Sequence, residues 1–591
     1  MTPHPPEAES ALARLFAEER RNGRAAWFSV PGGSTLFSAG EPSDQLYFLS
    51  AGRLGAFRRE EGQDSQFVGL IRPGEPTGEM ALIAGSPHSA SVVALRDSEV
   101  LSLPGPLFFE AANRDPKVMT ELARLMILRA RQAATHSAVG EPSVFGFIGE
   151  SRAVAVRELV EAIGQRMEAL GYSTVVCGSE ALSAPTEWFS NVERDHDFVL
   201  YAAEADEGAW RALIDRQVDR LFRVGRGGDP APVVLQKASA PLQNQKLIDL
   251  VLLHPAGGGG PEGSEAWLAA TSAARLFHMR QGDEADIKRM ARVLTGQSVG
   301  LVLSGGGARA YAHIGAIRAL REHNVPIDFV GGCSMGAIIA GGLAAGWDDA
   351  EMTARIRRAF VDSSPLDDIA FPFIAMIRGQ KVRDRLYEHF GDLQIADLWL
   401  PFFCVSSNLT TGSYQIHRSG RLRRALRASI SLPGVLPPVT QGPNVLVDGA
   451  VMKNFPADIM RALQLGPVVG VDVSRGRSIA AEDVKRPASI WKWLLSGEWR
   501  SGPPIVSVLM RSATVTVGRD LAASREATDL LITPILERID LRDWRAFDPA
   551  VEAGYVAAQK ALNGLNKPVT SLRRRLSHWE RRQTAPVVLP L

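Results

Sequence analysis

Between residues 28 and 103 the apolar positions come in short runs separated by turn formers. Leu46–Leu49, Gly52–Phe57, Phe67–Ile71, Ser91–Leu95 and Val100–Leu103 are strand-like. Pro31-Gly-Gly33, Ala39-Gly-Glu-Pro42 and Arg72-Pro-Gly-Glu-Pro76 break them. Short strands at regular spacing predict a small β-barrel or jelly roll. The period then lengthens to that of a helix from Pro116 to Ala134, and His136–Ser143 reads as a linker. Strand-like Val144–Ile148, Ser173–Cys177, Phe198–Tyr201, Val233–Gln236 and Leu247–Leu253, with helical Ala153–Leu170, predict a Rossmann-like, doubly wound α/β segment. Ala266–Leu294 reads as helix. From Val299 a second alternation begins: strand, glycine loop, helix Tyr311–His323, strand Ile327–Gly331, a serine turn and helix Met335–Ala345. Phe402–Ser406, Asn444–Ala450 and Val468–Val473 are its further strands. The expected organisation is multidomain α/β: a barrel with flanking helices over 1–137, an α/β spacer over 142–258, a helical connector over 265–298, a larger α/β domain over 299–566 and a basic tail over 567–591.

The chain's 591 residues agree with about three or four domains. A formal net charge of +1 supplies no field for nucleic acid, so no nucleic-acid partner is expected. The three cysteines, Cys177, Cys333 and Cys404, are far apart and lack metal-ligand spacing, which points to no metal, no disulfide framework and a reducing compartment. The polar start of the chain has no apolar signal core, and no run approaches the ~18 apolar residues of a membrane span. The expectation is a cytoplasmic protein whose membrane contact, at the inner membrane, is peripheral.

The chemistry concentrates in two βα turns. Gly305-Gly-Gly307 follows one strand and can offer backbone N–H groups to an oxyanion. Gly332-Cys-Ser-Met-Gly336 follows the next. Its glycines tolerate the crowding of a sharp elbow that exposes the Ser334 hydroxyl. Small residues after Gly336 let the following helix approach the sheet, with its positive N-terminus at the serine. A serine needs a base. Only His389, His417 and His578 follow it, in a charged helix, a strand and a basic tail, and none has the loop context of a catalytic histidine. A strand-end carboxylate is the better candidate: Asp448, before Gly449-Ala450, or its rival Asp472.

Ser304-Gly-Gly-Gly-Ala-Arg309, Gly332-Cys-Ser-Met-Gly336 and Asp448-Gly-Ala450 together resemble the three signatures of the patatin-like phospholipases. Ala428–Gly434, Pro437-Pro438 and Asn454-Phe-Pro456 resemble that family's surroundings, the whole over Val299 to Ser474. The resemblance implies a serine lipid acyl hydrolase using a Ser334–Asp448 dyad without histidine or cofactor. Gly305, Gly306 and Gly307 would form the oxyanion hole. Arg309 would neutralise charge there or brace the loop, and His313 would be structural. The implied substrates are phospholipids or lysophospholipids. Ala310, where glycine is usual, and Cys333, where threonine is common, are departures from the pattern.

Phe37–Leu49, Gly52, Gly78–Leu82 and Ser86–Ser91 resemble a cyclic-nucleotide-binding domain over Trp27 to Leu125. That resemblance implies a ligand cradle at Gly78, Glu79, Met80, His88 and Ser89, with Glu79 on the ribose. His88 stands where an arginine normally pairs with the phosphate, which weighs against a cyclic nucleotide. The order of domains resembles bacterial relatives of neuropathy target esterase. Phe147–Arg152 lacks the phosphate-loop pattern, so the middle segment reads as a spacer. Tryptophans in Ile490–Trp499 and the basic Arg573–Arg582 are the candidate membrane contacts. The competing reading is a nucleotide-responsive regulatory or scaffold protein with a vestigial hydrolase site.

Overall fold

A computed structural model of the chain describes residues 10–58, 66–134, 142–232, 247–363, 368, 375–474, 518–577 and 580. Val233–Gln236, the tryptophan segment Ile490–Trp499 and most of Arg573–Arg582 beyond Ser577 lie outside the described residues. The chain divides into two compact units, one formed mainly by Met1–Gly225 and the other by Leu250–Leu576.

In the first unit the expected barrel is built as two four-stranded antiparallel sheets. One runs Ala26–Val30, Ser98–Pro104, Gln45–Ala51, Pro76–Thr77; the other runs Thr35–Phe37, Ser91–Ala94, Leu54–Arg58, Gln66–Ile71. Alternating apolar residues such as Leu46, Phe48, Leu101 and Leu103 point into a core completed by Phe16 and Phe108 from flanking helices. Helix Pro116–Ala134 has the predicted bounds. The α/β segment follows as parallel strands in the order Thr174–Cys177, Phe198–Ala203, Val144–Gly149, Arg220–Arg226. Arg220–Arg226 is absent from the sequence expectation because its three arginines mask the buried Leu221, Phe222 and Val224.

An ion network knits these two sheet systems together within the unit. Arg96, 2% exposed, pairs with Glu193 and with Asp219 at 2.6 Å. Arg53 meets the same two carboxylates. The second oxygen of Asp219 accepts from the Ser143 and Val144 amides at 2.9 and 3.0 Å. Both arginines hold the Asp219 carboxyl below its ordinary range, against the opposing effect of burial.

In the second unit, the expected helical connector over 265–298 is corrected. Helices Ser264–Thr271 and Glu284–Thr295 are separated by a strand, Arg275–Arg280, beside Leu247–His254. Leu276, Phe277 and Met279 fit a short strand as well as a helix turn, and sheet pairing decides between them. The main sheet runs 439–441, 444–448, 402–408, 329–333, 300–303, 468–471, 530–532, with Ser413–His417 paired to 402–408. The four pairings from 402–408 through 530–532 are parallel, and strands 402–408, 329–333, 300–303 and 468–471 are buried on both faces, as helices on either side require. No described helix is long and apolar enough to cross a membrane.

Removing Asp219 leaves two desolvated guanidinium groups with one carboxylate between them. Asp219→Ala is expected to destabilise the first unit by about 3–5 kcal/mol, read as a lowered melting transition by differential scanning calorimetry. A transition within error of wild type would contradict the network's weight.

Candidate active site

Strand Phe329–Cys333 ends at Ser334, and helix Met335–Ala344 starts on the next residue. Ser334 takes φ 52°, ψ −128°, a backbone conformation costing about 1–3 kcal/mol. Packing enforces it. A Cβ on Gly336 would stand 2.4 Å from the Ser304 carbonyl oxygen, and one on Gly332 2.8 Å from that of Leu303. The elbow is therefore pressed against the end of the neighbouring strand Gly300–Leu303, which carries the glycine loop.

Sheet register brings the acid to the serine. Cys333 pairs with Val405, and Ser406, the next residue, pairs with Asp448 on the antiparallel strand Asn444–Asp448. Ser334 Oγ donates to Asp448 Oδ2 at 2.7 Å, while Oδ1 accepts from the Ala450 amide at 2.8 Å. The carboxylate is 1% exposed. Burial raises it to about 6, against the lowering by the Ala450 amide and the Ser334 hydroxyl. The rival Asp472 is held instead by Arg525, at 2.9 Å from Nε, and by the Ser474 amide.

Among the described residues, no histidine hydrogen-bonds the serine or this carboxylate. His313 is buried and its Nε2 binds the Ser304 carbonyl at 2.8 Å; burial lowers it to about 4, so it is neutral. His417 pairs with Ser406 Oγ, and His389 lines an apolar hollow beside the elbow helix with Ile338, Trp347, Leu386 and Phe390. His578 lies outside the described residues. Burial and the neighbouring Asp448 push the Cys333 thiol well up, so it stays protonated 4.0 Å from Oδ1.

The three glycine amides are not equivalent. Gly305 N–H already donates to the Asn454 carbonyl at 3.2 Å, which corrects its assignment to the oxyanion hole. Gly306 and Gly307 N–H have no acceptor among the described residues. The loop is backed by 539–541: Ala308 N–H donates to the Leu541 carbonyl at 2.8 Å, and Arg309 Nε to that of Ile539 at 2.7 Å. Arg309 is buried in this bracing role, and its recorded contact is a carbonyl, so the side chain holds the loop's shape.

Of the residues expected to form a ligand cradle in the first unit, Glu79 and His88 are buried and engaged within the protein. Glu79, 3% exposed, pairs with Arg129 at 2.7 Å, and Arg129 also reaches Glu75 and the Pro76 carbonyl. His88 is buried and stacked on Phe37, ring centroids 3.8 Å apart, and burial lowers its pKa. Gly78 caps a six-residue helix, Met80 is half exposed and Ser89 is exposed.

These features coincide with what known proteins share with the chain. The patatin-like phospholipase family model matches residues 301–461, which contain the loop, Ser334 and Asp448; the cyclic nucleotide-binding domain model matches residues 27–115. An uncharacterized NTE family protein from Mycobacterium tuberculosis is 32% identical over 555 residues, covering 90% of this chain and 91% of that protein. The chain belongs to the NTE family. Patatin-like phospholipase domain-containing protein 6 from Homo sapiens is 29% identical over 92% of this chain but 45% of its own length. Lysophospholipase NTE1 from Cryptococcus neoformans var. neoformans is 28% identical over 79% of this chain and 34% of its own. The chain thus spans less than half of these two NTE relatives.

Sequence reasoning missed the supports of this NTE site. Ser429 Oγ accepts from the Ser334 amide at 2.9 Å and donates to the Val405 carbonyl. Ser431 takes the Asp448 amide through its carbonyl. Both lie in the quoted Ala428–Gly434 stretch, whose paired serines were the available signal; nothing local marks Ile539 or Leu541.

A carboxylate must be ionised to take a proton. With Asp448 raised to about 6, kcat/KM on a short acyl ester should fall about tenfold per unit as pH drops below that value, each tenfold corresponding to about 1.4 kcal/mol. A pH–rate profile with its acid limb near 4 would contradict the desolvated base.

Proposed function

We propose that this protein hydrolyses carboxylic esters of lysophospholipids and phospholipids through a Ser334–Asp448 dyad. The observation that carries this is the 2.7 Å hydrogen bond from Ser334 Oγ to a buried carboxylate, beside two glycine amides with no acceptor among the described residues. As Oγ attacks the ester carbonyl carbon, its proton passes to Asp448 Oδ2. The carbonyl oxygen becomes an oxyanion held by Gly306 and Gly307 N–H. Collapse breaks the bond to the alcohol, which leaves with the proton from Asp448. Water then attacks the acyl-serine, gives a proton to Asp448, and the fatty acid departs as Oγ is reprotonated. Ala450 fixes one carboxylate oxygen so that the other faces the serine. The names of the NTE relatives support a lipid substrate, which the enzyme would meet at a membrane surface.

The test is fatty-acid release from lysophosphatidylcholine, phosphatidylcholine and p-nitrophenyl butyrate by wild type, Ser334→Ala and Asp448→Asn. Each substitution should lower kcat by at least about 10³-fold with the melting temperature retained. Full activity in Asp448→Asn would refute the dyad.

We propose further that the N-terminal module holds no cyclic nucleotide. Its ribose acid is engaged by Arg129, and its phosphate position carries a neutral buried imidazole. Isothermal titration with cyclic AMP or cyclic GMP should give no saturable heat. Saturable binding would overturn this reading.

A further inference from the structure

Asn454 lies between two anchored residues. Lys453 is buried and paired with Asp458 at 2.8 Å, and Phe455 is 2% exposed against Gly470. From that fixed position Asn454 grips Gly305 twice. Its backbone carbonyl accepts from Gly305 N–H, and its side-chain Nδ2 donates to the Gly305 carbonyl, both at 3.2 Å. The donation fixes the amide's orientation, because the reverse assignment would set two oxygens against each other.

The other end of the amide is left without a partner. Asn454 Oδ1 is buried and receives no hydrogen bond from the described residues, a loss worth about 1–3 kcal/mol. An apolar side chain of similar size would remove this orphan but would also take the side-chain donor from the buried Gly305 carbonyl, so the amide is set here by its grip on that carbonyl. Oδ1 also presses on the loop: a Cβ on Gly305 would stand 2.4 Å from it and 3.1 Å from Ser334 Cβ. Asn454 is therefore packed beside the nucleophile.

The gripped carbonyl belongs to the same peptide unit as Gly306 N–H. A hydrogen bond onto a peptide oxygen fixes the plane of that peptide and makes its N–H a stronger donor, since bonds in a chain polarise one another. We propose that Asn454 is a positioning residue for the oxyanion hole, acting through the Gly305–Gly306 peptide to hold Gly306 N–H toward the developing charge and to strengthen it. This inference rests on the Ser334–Asp448 reading. Asn454 itself touches neither the ester nor the dyad's proton; its effect appears only when charge develops on the carbonyl oxygen.

The test uses the full chain carrying Asn454→Leu, which removes the donor at similar volume, and Asn454→Asp, which puts an acceptor there and keeps the shape if the leucine variant does not fold. Hydrolysis of p-nitrophenyl butyrate is measured beside inhibition by an alkyl trifluoromethyl ketone, whose carbonyl Ser334 Oγ attacks to form a stable oxyanion as its proton passes to Asp448. Each folded variant should lose kcat by about 10–100-fold, with KM within about twofold. The inhibition constant for the ketone should rise by the factor by which kcat/KM falls. The acid limb of the leucine variant should stay where wild type has it. Unchanged kcat and ketone affinity would overturn the proposal, as would a loss confined to KM. Ser334→Ala run alongside separates the two readings: retained activity there sinks the dyad itself, whereas a dead serine variant beside silent Asn454 variants sinks only this inference.

Discussion

One hydrogen bond between residues 114 apart in the chain organises the catalytic half of this protein: Ser334 Oγ to Asp448 Oδ2. Neither partner could be there without the sheet. Parallel pairing sets Cys333 beside Val405, and antiparallel pairing one residue later sets Ser406 beside Asp448. A slip of one residue in either pairing would turn the acid to the opposite face. The same burial that makes the strands pair removes the carboxylate from water, and desolvation is what raises its proton affinity. Fold and basicity thus share a cause.

That arrangement is held under strain. Ser334 adopts a positive φ only because the elbow helix and the end of strand Gly300–Leu303 meet through two glycines. The loop beyond that strand is clamped from both sides, by Asn454 at Gly305 and by Ile539 and Leu541 at Ala308 and Arg309. Among the described residues, two amides between the clamps stay without acceptors. Free donors inside a protein are unfavourable unless something arrives to use them, and a preorganised pair of donors is what a transient oxyanion requires.

How much of this could be read from the chain depends on whether the signal was local. The glycine loop, the elbow and Asp448 were legible because each sits at a strand end, where a close backbone approach demands glycine at fixed offsets. The small sheets of the first unit were legible from period-two runs between Pro-Gly breaks. Strand Arg220–Arg226 was hidden by charge at its partly exposed positions, and Arg275–Arg280 was taken for helix because six residues cannot distinguish the two periods. The error over Gly305 was of another kind: its amide is engaged by a carbonyl 149 residues away, and only tertiary structure decides which of the three glycine donors are left free. The Arg53, Arg96, Glu193, Asp219 network was illegible for the same reason.

In the first unit, polar groups of a fold matched by the cyclic nucleotide-binding domain model are engaged with one another. A ligand shifts a conformational equilibrium only by its difference in affinity for the two states. In this cradle a nucleotide would have to displace Arg129 from Glu79 and Glu75, and would find at His88 a stacked, neutral ring where a cation is needed. On the proposed reading, both features would lower affinity for a cyclic nucleotide without destabilising the empty module. Meanwhile Arg53 and Arg96 carry the module's charge into a buried pairing with Glu193 and Asp219 of the α/β segment. On this reading the module's polar groups serve packing against its neighbour.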